Sequence, residues 1–113
     1  MENRVKTQIW VQAFIRRSET EGFPAALVHR GDPDAGAVLV KINQFENGCC
    51  VYTQVRDENG APAWLAGTGS TPVSEQVADS YIARQRQYDA DLWVVEVEDP
   101  KSAYGMDGKI LES

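Results

Sequence analysis

The sequence predicts an α+β domain: an antiparallel sheet of about four or five strands with two helices packed on one face, in the order α-β-β-β-β-α-β. Three observations predict it. Asn47-Gly48 and Asn59-Gly60 are tight-turn dipeptides between segments of alternating polarity. Apolar residues at helical spacing fill about residues 9–21 and the stretch after Ser74. The segment from Arg84 to Asp99 then reads as a helix end, an acidic turn and an alternating strand.

Each element follows from its own pattern. Val5, Thr7, Ile9 and Val11 alternate, so residues 4–9 are open to a short strand, but a helix over about 9–21 is the stronger reading. Trp10 and Phe14 share one side of it, as do Ile9 and Ala13, with Val11 and Ile15 on another. An apolar surface spread that widely predicts contact on two sides, one of them the sheet. Gly22 stops the helix, with Pro24 just beyond. Residues 25–30 read as a strand, and Asp32-Pro33-Asp34-Ala35-Gly36 as a turn.

Strands over 37–45, 49–56 and around 63–67 should form an antiparallel meander through the two Asn-Gly turns. Val38, Val40 and Ile42 fall on one face, and Leu39, Lys41 and Asn43 on the other. Ser74 is placed to cap the second helix, with Glu75 in its positive first turn. Val77, Ala78, Tyr81, Ile82 and Tyr88 lie in one stripe of that helix. In the last strand, 92–98, Trp93, Val95 and Val97 are expected in the core and Glu96 and Glu98 in water. Residues 1–100 make the domain. From Lys101 to Ser113 no period is visible, and a weakly ordered tail is expected.

The chain has 113 residues, the length of a single domain with one core. A hydrophobic fraction of 42% against 25% charged residues argues against disorder. The net charge of −6 argues against a nucleic-acid binder, which needs a basic stripe to displace counterions. The charge is uneven, with arginines and Lys6 in the first 30 residues and carboxylates crowding the stretch from Asp89 onward. These ends are able to attract each other within one chain or between two. No apolar run approaches the roughly 20 residues of a membrane span, and no secretory leader is visible. Cys49 and Cys50 are adjacent and poorly placed for a mutual disulfide, so buried free thiols in a reducing cytoplasm are expected.

Candidate chemistry is sparse. His29, the sole histidine, stands beside Arg30, Asp32 and Asp34, a setting a general acid or base requires and a packed strand histidine also satisfies. Asp32, Asp34 and Gly36 echo the start of a calcium loop, but no bidentate acid follows at the required distance. Arg84, Gln85 and Arg86 end the second helix. Gln85 lies within its apolar stripe, where an amide must find partners in the sheet or in a ligand. Trp10 and Trp93 read as core. Trp64, after Pro62, is a candidate interface residue, with Val11 and Ile15 on the first helix. No nucleophile elbow, phosphate-cradling loop or zinc ligand set is present, and no cofactor is implied.

Three segments, Ile9–Arg17, Arg30–Lys41 and Arg84–Asp99, together resemble the DUF1491 family of small alphaproteobacterial proteins of unknown function, over roughly residues 4–100. The resemblance implies a bacterial cytoplasmic protein with one compact domain. It brings no activity, substrate or catalytic residue. The functional expectation is therefore a non-catalytic binding or interaction module that self-associates or takes a protein partner, with neither nucleic acid nor membrane involved. The rival is a site for an anionic small molecule, with or without catalysis, built from Arg30, Arg84 and Arg86 with His29.

Overall fold

The structure is a computed structural model that describes residues 6–112. The elements are helix α1 (Thr7–Thr20), strands β1 (Ala25–His29), β2 (Val38–Asn43), β3 (Cys49–Arg56) and β4 (Pro62–Ala66), helix α2 (Glu75–Tyr88), and strands β5 (Trp93–Glu98) and β6 (Lys109–Glu112). The strand reading of 4–9 lies partly outside the described residues; from Thr7 the chain is helical.

The strands form one mixed sheet in the order β1-β5-β2-β3-β4-β6. This corrects the antiparallel expectation. β5 inserts between β1 and β2, running antiparallel to β1 and parallel to β2, and β6 runs parallel to β4. The physical reason lies in the apolar runs Val38-Leu39-Val40 and Trp93-Val94-Val95. Both are buried, so both faces of these strands must be covered, as in a central parallel pair.

The helices accordingly lie on opposite faces, not on one. Val38, Val40, Ile42, Trp93, Val95 and Val97 pack with Val11 and Phe14 of α1. Leu39, Val51, Leu92 and Val94 pack with Ala78 and Ile82 of α2. The result is a three-layer α/sheet/α arrangement.

Helix α1 contacts the sheet along one line, Val11, Phe14 and Ser18, with Trp10 and Ile15 flanking it and Ile9 exposed. Its apolar surface is therefore less two-sided than its sequence suggests. Ser18 conceals the true line because it is polar, yet it is fully buried, and its hydroxyl lies 3.0 Å from that of Tyr104. The helix ends as expected at Gly22, whose φ is 96°. The Gly22 amide donates to the Glu19 carbonyl and the Phe23 amide to that of Ser18, a Schellman closure. Helix α2 begins at Ser74, whose hydroxyl accepts the Val77 amide at 3.2 Å.

Residues 99–108 form a strap where a frayed tail was expected. Asp99 is fully buried, and its carboxylate accepts the amides of Ala103 and Tyr104 at 2.8 and 3.0 Å. Tyr104 then packs edge-on to Phe14 and Phe23. Asp107 reaches Arg17 at 2.9 Å, so the acidic end meets the basic start within one chain. The chain then adds β6 to the far edge.

The loop between β1 and β2 is clamped against the start of β5. The Asp32 amide donates to the Asp91 carbonyl at 3.0 Å, and the Trp93 indole N–H donates to the Asp32 carbonyl at 2.7 Å. Gly36 lies so close that a Cβ there would sit 2.2 Å from the Asp91 carbonyl oxygen and 2.9 Å from the Trp93 ring. Gly36→Ala is expected to cost about 2–3 kcal/mol by overpacking, seen as a lower urea midpoint at unchanged m value. Gly105→Ala, where the added carbon meets open space, is the control and should cost under about 0.5 kcal/mol.

Candidate functional site

An open groove of about 580 Å3 lies on the α1 face of the sheet. Helix α1 contributes Thr7, Trp10, Phe14 and Arg17 to it, and the loop before β2 contributes Asp34, Ala35, Gly36 and Ala37. Opposite stand the end of β3, the start of β4 and the strap residues Met106, Asp107 and Gly108. Strand periodicity explains the far wall. Gln54 pairs with Trp64 and Arg56 with Pro62, so these four side chains share the α1 side of the sheet.

Aromatic rings form the floor. Trp10 stacks on Phe14 with centroids 5.1 Å apart and planes 11° from parallel. Trp10 also meets Trp64 at 5.9 Å and 50°. The Trp64 indole N–H donates to the Asp107 carbonyl at 2.9 Å, which fixes the ring and ties the strap to β4. The Arg17 guanidinium lies 5.9 Å from the Phe14 centroid while ion-paired to Asp107. Asp34 faces Lys6 at 3.5 Å across an exposed pair. The Arg56 Nη1 donates to the Gly60 carbonyl at 2.8 Å, across the turn that follows β3. Among the described residues the groove lining holds no histidine, cysteine, serine or lysine.

A second polar constellation lies on the α2 face. Lys41 projects from β2 and is only 4% exposed. Its ammonium donates to Glu75 and Asp79 of α2 at 2.8 Å each, with Glu96 of β5 at 3.5 Å. Asn43 donates to Glu96 at 3.1 Å and accepts the Phe45 amide at 2.9 Å. Glu96, expected in water, thus belongs to this network. Burial by itself would lower the Lys41 pKa. The hydrogen bonds to Asp79 and Glu75 and the field of Glu96 reverse that and hold the ammonium above the ordinary lysine value. The Lys41 ammonium meets three carboxylates and the Asn43 amide is bonded at both ends, so the network anchors α2 to β2 and β5.

The sequence candidates fall in several places. Asp34 lines the groove, whereas His29, Arg30, Asp32, Arg84, Gln85 and Arg86 do not. The Arg30 guanidinium lies 5.3 Å from the Trp93 ring centroid, on the α1 side. Arg84, half-buried Gln85 and Arg86 stand on α2, in the opposite layer. His29 pairs with Val94 beyond an irregularity in β1. Asp32 accepts the Ala35 amide as a turn residue. Of the interface candidates, Val11 and Trp64 are buried within the chain and Ile15 packs against the core. Sequence reasoning missed Gln54, Arg56 and Asp107. The signal for the first two was the period of two that aligns them with Trp64; nothing local marked Asp107.

Cys49 and Cys50 are free thiols on opposite faces, and burial pushes both upward in pKa. Among the described residues, no three His, Cys, Asp or Glu side chains are grouped to hold a metal ion, and no helix is long and apolar enough to cross a membrane.

Fold and groove together define a small three-layer α+β domain with an aromatic-floored cleft. The chain belongs to the DUF1491 family, described as proteins of unknown function, whose model matches residues 5–107 and so extends past Pro100 into the strap. It is similar to the crystal structure of a DUF1491 family protein from Caulobacter crescentus, with 34% identity, a TM-score of 0.84, and coverage of 96% of this chain and 100% of that one. An NMR structure of a DUF1491 family protein from the same organism gives 33% identity and a TM-score of 0.81, covering 97% and 99%. The solution structure of a protein from A. tumefaciens gives 26% and 0.73, covering 86% and 87%. No curated protein matches the chain.

Lys41→Met is expected to destabilise the fold by about 2 kcal/mol at pH 7. That is below the roughly 3–5 of a fully buried pair, because the Glu75 and Asp79 side chains remain 57% and 59% exposed. The sign with pH follows from a raised folded pKa. The Lys41 contribution is fully present below the unfolded lysine value and is lost as pH rises from there through the folded value. The wild-type-minus-variant difference, measured by urea unfolding, should therefore stay level from neutral pH to about pH 10 and shrink above it.

Proposed function

We propose that this protein is a cytoplasmic, non-catalytic binding module whose ligand site is the aromatic groove between α1 and the β3–β4 hairpin. The observation that carries this reading is the lining itself. Half-buried Trp10, backed by the largely buried Phe14 and Trp64, supplies an aromatic floor, while Arg17 and Asp107 are tied to each other. A concave apolar surface of a few hundred Å3 with a few polar groups on its rim is the usual form of a small-ligand site. Of the lining residues able to act as nucleophile, acid or base, the Thr7 hydroxyl donates to the Gly36 carbonyl, Asp34 pairs with Lys6 and Asp107 with Arg17, and no histidine, cysteine, serine or lysine is found among the described lining residues. The free thiols, Cys49 buried and Cys50 half-buried, fit a reducing compartment.

The test is an NMR screen of the 15N-labelled protein with mixed aromatic fragments. Binding fragments should move the indole N–H signals of Trp10 and Trp64 and the amides of Ala63 and Met106. Trp10→Ala should weaken them about ten-fold or more, as loss of a stacked aromatic surface requires. Hits that cluster away from these signals, or no hits at all, would refute the reading.

Self-association is a second reading, and β1 favours it. This strand is one edge of the sheet, carries no charged residue, and leaves Leu27 and Val28 41% and 57% exposed. An uncharged edge strand is a template for pairing with another chain. Sedimentation at high micromolar concentration should show a dimer that Leu27→Lys returns to monomer. A wild-type monomer throughout that range would remove this reading.

A further inference from the structure

We propose that the groove is a site for a small aromatic carboxylate, its ring against Trp10 and Trp64 and its carboxylate on Arg56. This rests on the groove being a ligand site and adds what the ligand must be.

The argument is one of charge. The groove lining contains two arginines and two aspartates among its described residues. Arg17 and Asp107 neutralise each other at 2.9 Å, and Asp34 is matched by Lys6 at 3.5 Å. Arg56 makes no ion pair among the described residues. The two acids that follow it in sequence pair instead with Lys109, which lies 3.4 Å from Asp57 and 3.7 Å from Glu58. Arg56 is thus the uncompensated cation of the groove, in a protein whose net charge is −6.

Its guanidinium is also held in place. Nη1 donates to the Gly60 carbonyl at 2.8 Å. The turn that presents this carbonyl is closed by the Asp57 carboxylate, which accepts the amides of Asn59 and Ala61 at 2.9 Å each. One fork nitrogen is fixed, and the remaining N–H groups are left to recognise a planar anion. Gln54, two residues earlier on the same face, supplies an amide donor beside it.

A carboxylate suits this arrangement better than a phosphate. One guanidinium matches one carboxylate in a bidentate fork. A dianion would meet a single unpaired cation with Asp34 and Asp107 in the same lining. The apolar part follows from the floor. Half-buried Trp10, backed by buried Trp64, at a groove of about 580 Å3 leaves room for one fused or substituted ring, within the range typical of small-ligand sites.

The test uses naphthalene-2-carboxylate and its neutral isostere naphthalene-2-carboxamide, titrated into the full chain by calorimetry with chemical shifts as a map. The acid should bind wild type about ten-fold tighter than the amide, the effect of one charge-assisted hydrogen-bonded contact. Arg56→Gln, at an exposed position, should abolish that preference by weakening the acid alone. Trp10→Phe should weaken both probes together. Equal binding of acid and amide to wild type, or a preference that survives Arg56→Gln, overturns the carboxylate assignment; the groove reading stands if shifts still map to Trp10 and Trp64. Absence of binding by both probes overturns the carboxylate assignment, and the fragment screen then decides the groove reading on its own.

Discussion

The parallel pairing of β2 with β5 is the constraint on which the rest of the molecule depends. Every residue of β2 is buried, and Trp93 to Val95 of β5 are buried as well. Two adjacent strands without a solvent face need cover above and below, so one helix must go to each side. Parallel strands also need a long crossover, and α2 serves as the last part of the connection that returns from β4 to the middle of the sheet. β1 is thereby displaced to an edge, and the β3–β4 hairpin is carried out to the other side, where its face and α1 both line the groove.

The two faces are finished differently. On the α2 side the gap under the helix is filled by a charged network, with Lys41 drawing Glu75, Asp79 and Glu96 together. A buried ammonium is tolerated there because three carboxylates and Asn43 surround it, and its geometry joins α2, β2 and β5 in one fixed register. On the α1 side the helix covers β1, β5 and β2, and the aromatic residues Trp10, Phe14 and Trp64 continue beyond that cover. One face is closed by electrostatics and the other is left partly open by its shape.

Much of this was legible in the sequence, and the misses have physical reasons. The ends of both helices were marked by Gly22 and Ser74, and the hairpins by Asn47-Gly48 and Asn59-Gly60, because caps and turns are local chemistry. The strand order was not legible from alternation. Alternation sorts Val38, Val40 and Ile42 from Leu39 and sets Trp93 and Val95 toward the core, but it is the unbroken apolar runs Val38-Leu39-Val40 and Trp93-Val94-Val95 that signal burial on both faces. Lys41 and Asn43 are polar positions buried in that doubly covered strand, and nothing local marks their burial. Ser18 is a buried polar residue whose partner, Tyr104, lies 86 residues away, and no short-range pattern exposes such a pair. For the candidate site, the aromatic residues were visible as a set, and Asp34 was singled out on other grounds. Their convergence with Arg56 and Asp107 depends on topology.

The strap from Asp99 to Gly108 has a consequence for how the chain is made. Tyr104 meets Ser18 across 86 residues of sequence, and Asp107 accepts from Trp64 across 43. During synthesis, α1 and the β3–β4 hairpin leave the ribosome long before either partner exists. Phe14, Phe23 and Trp64 therefore stay incompletely covered until Tyr104 and Asp107 of the strap are added, and two of them, Phe14 and Trp64, line the groove of the finished protein.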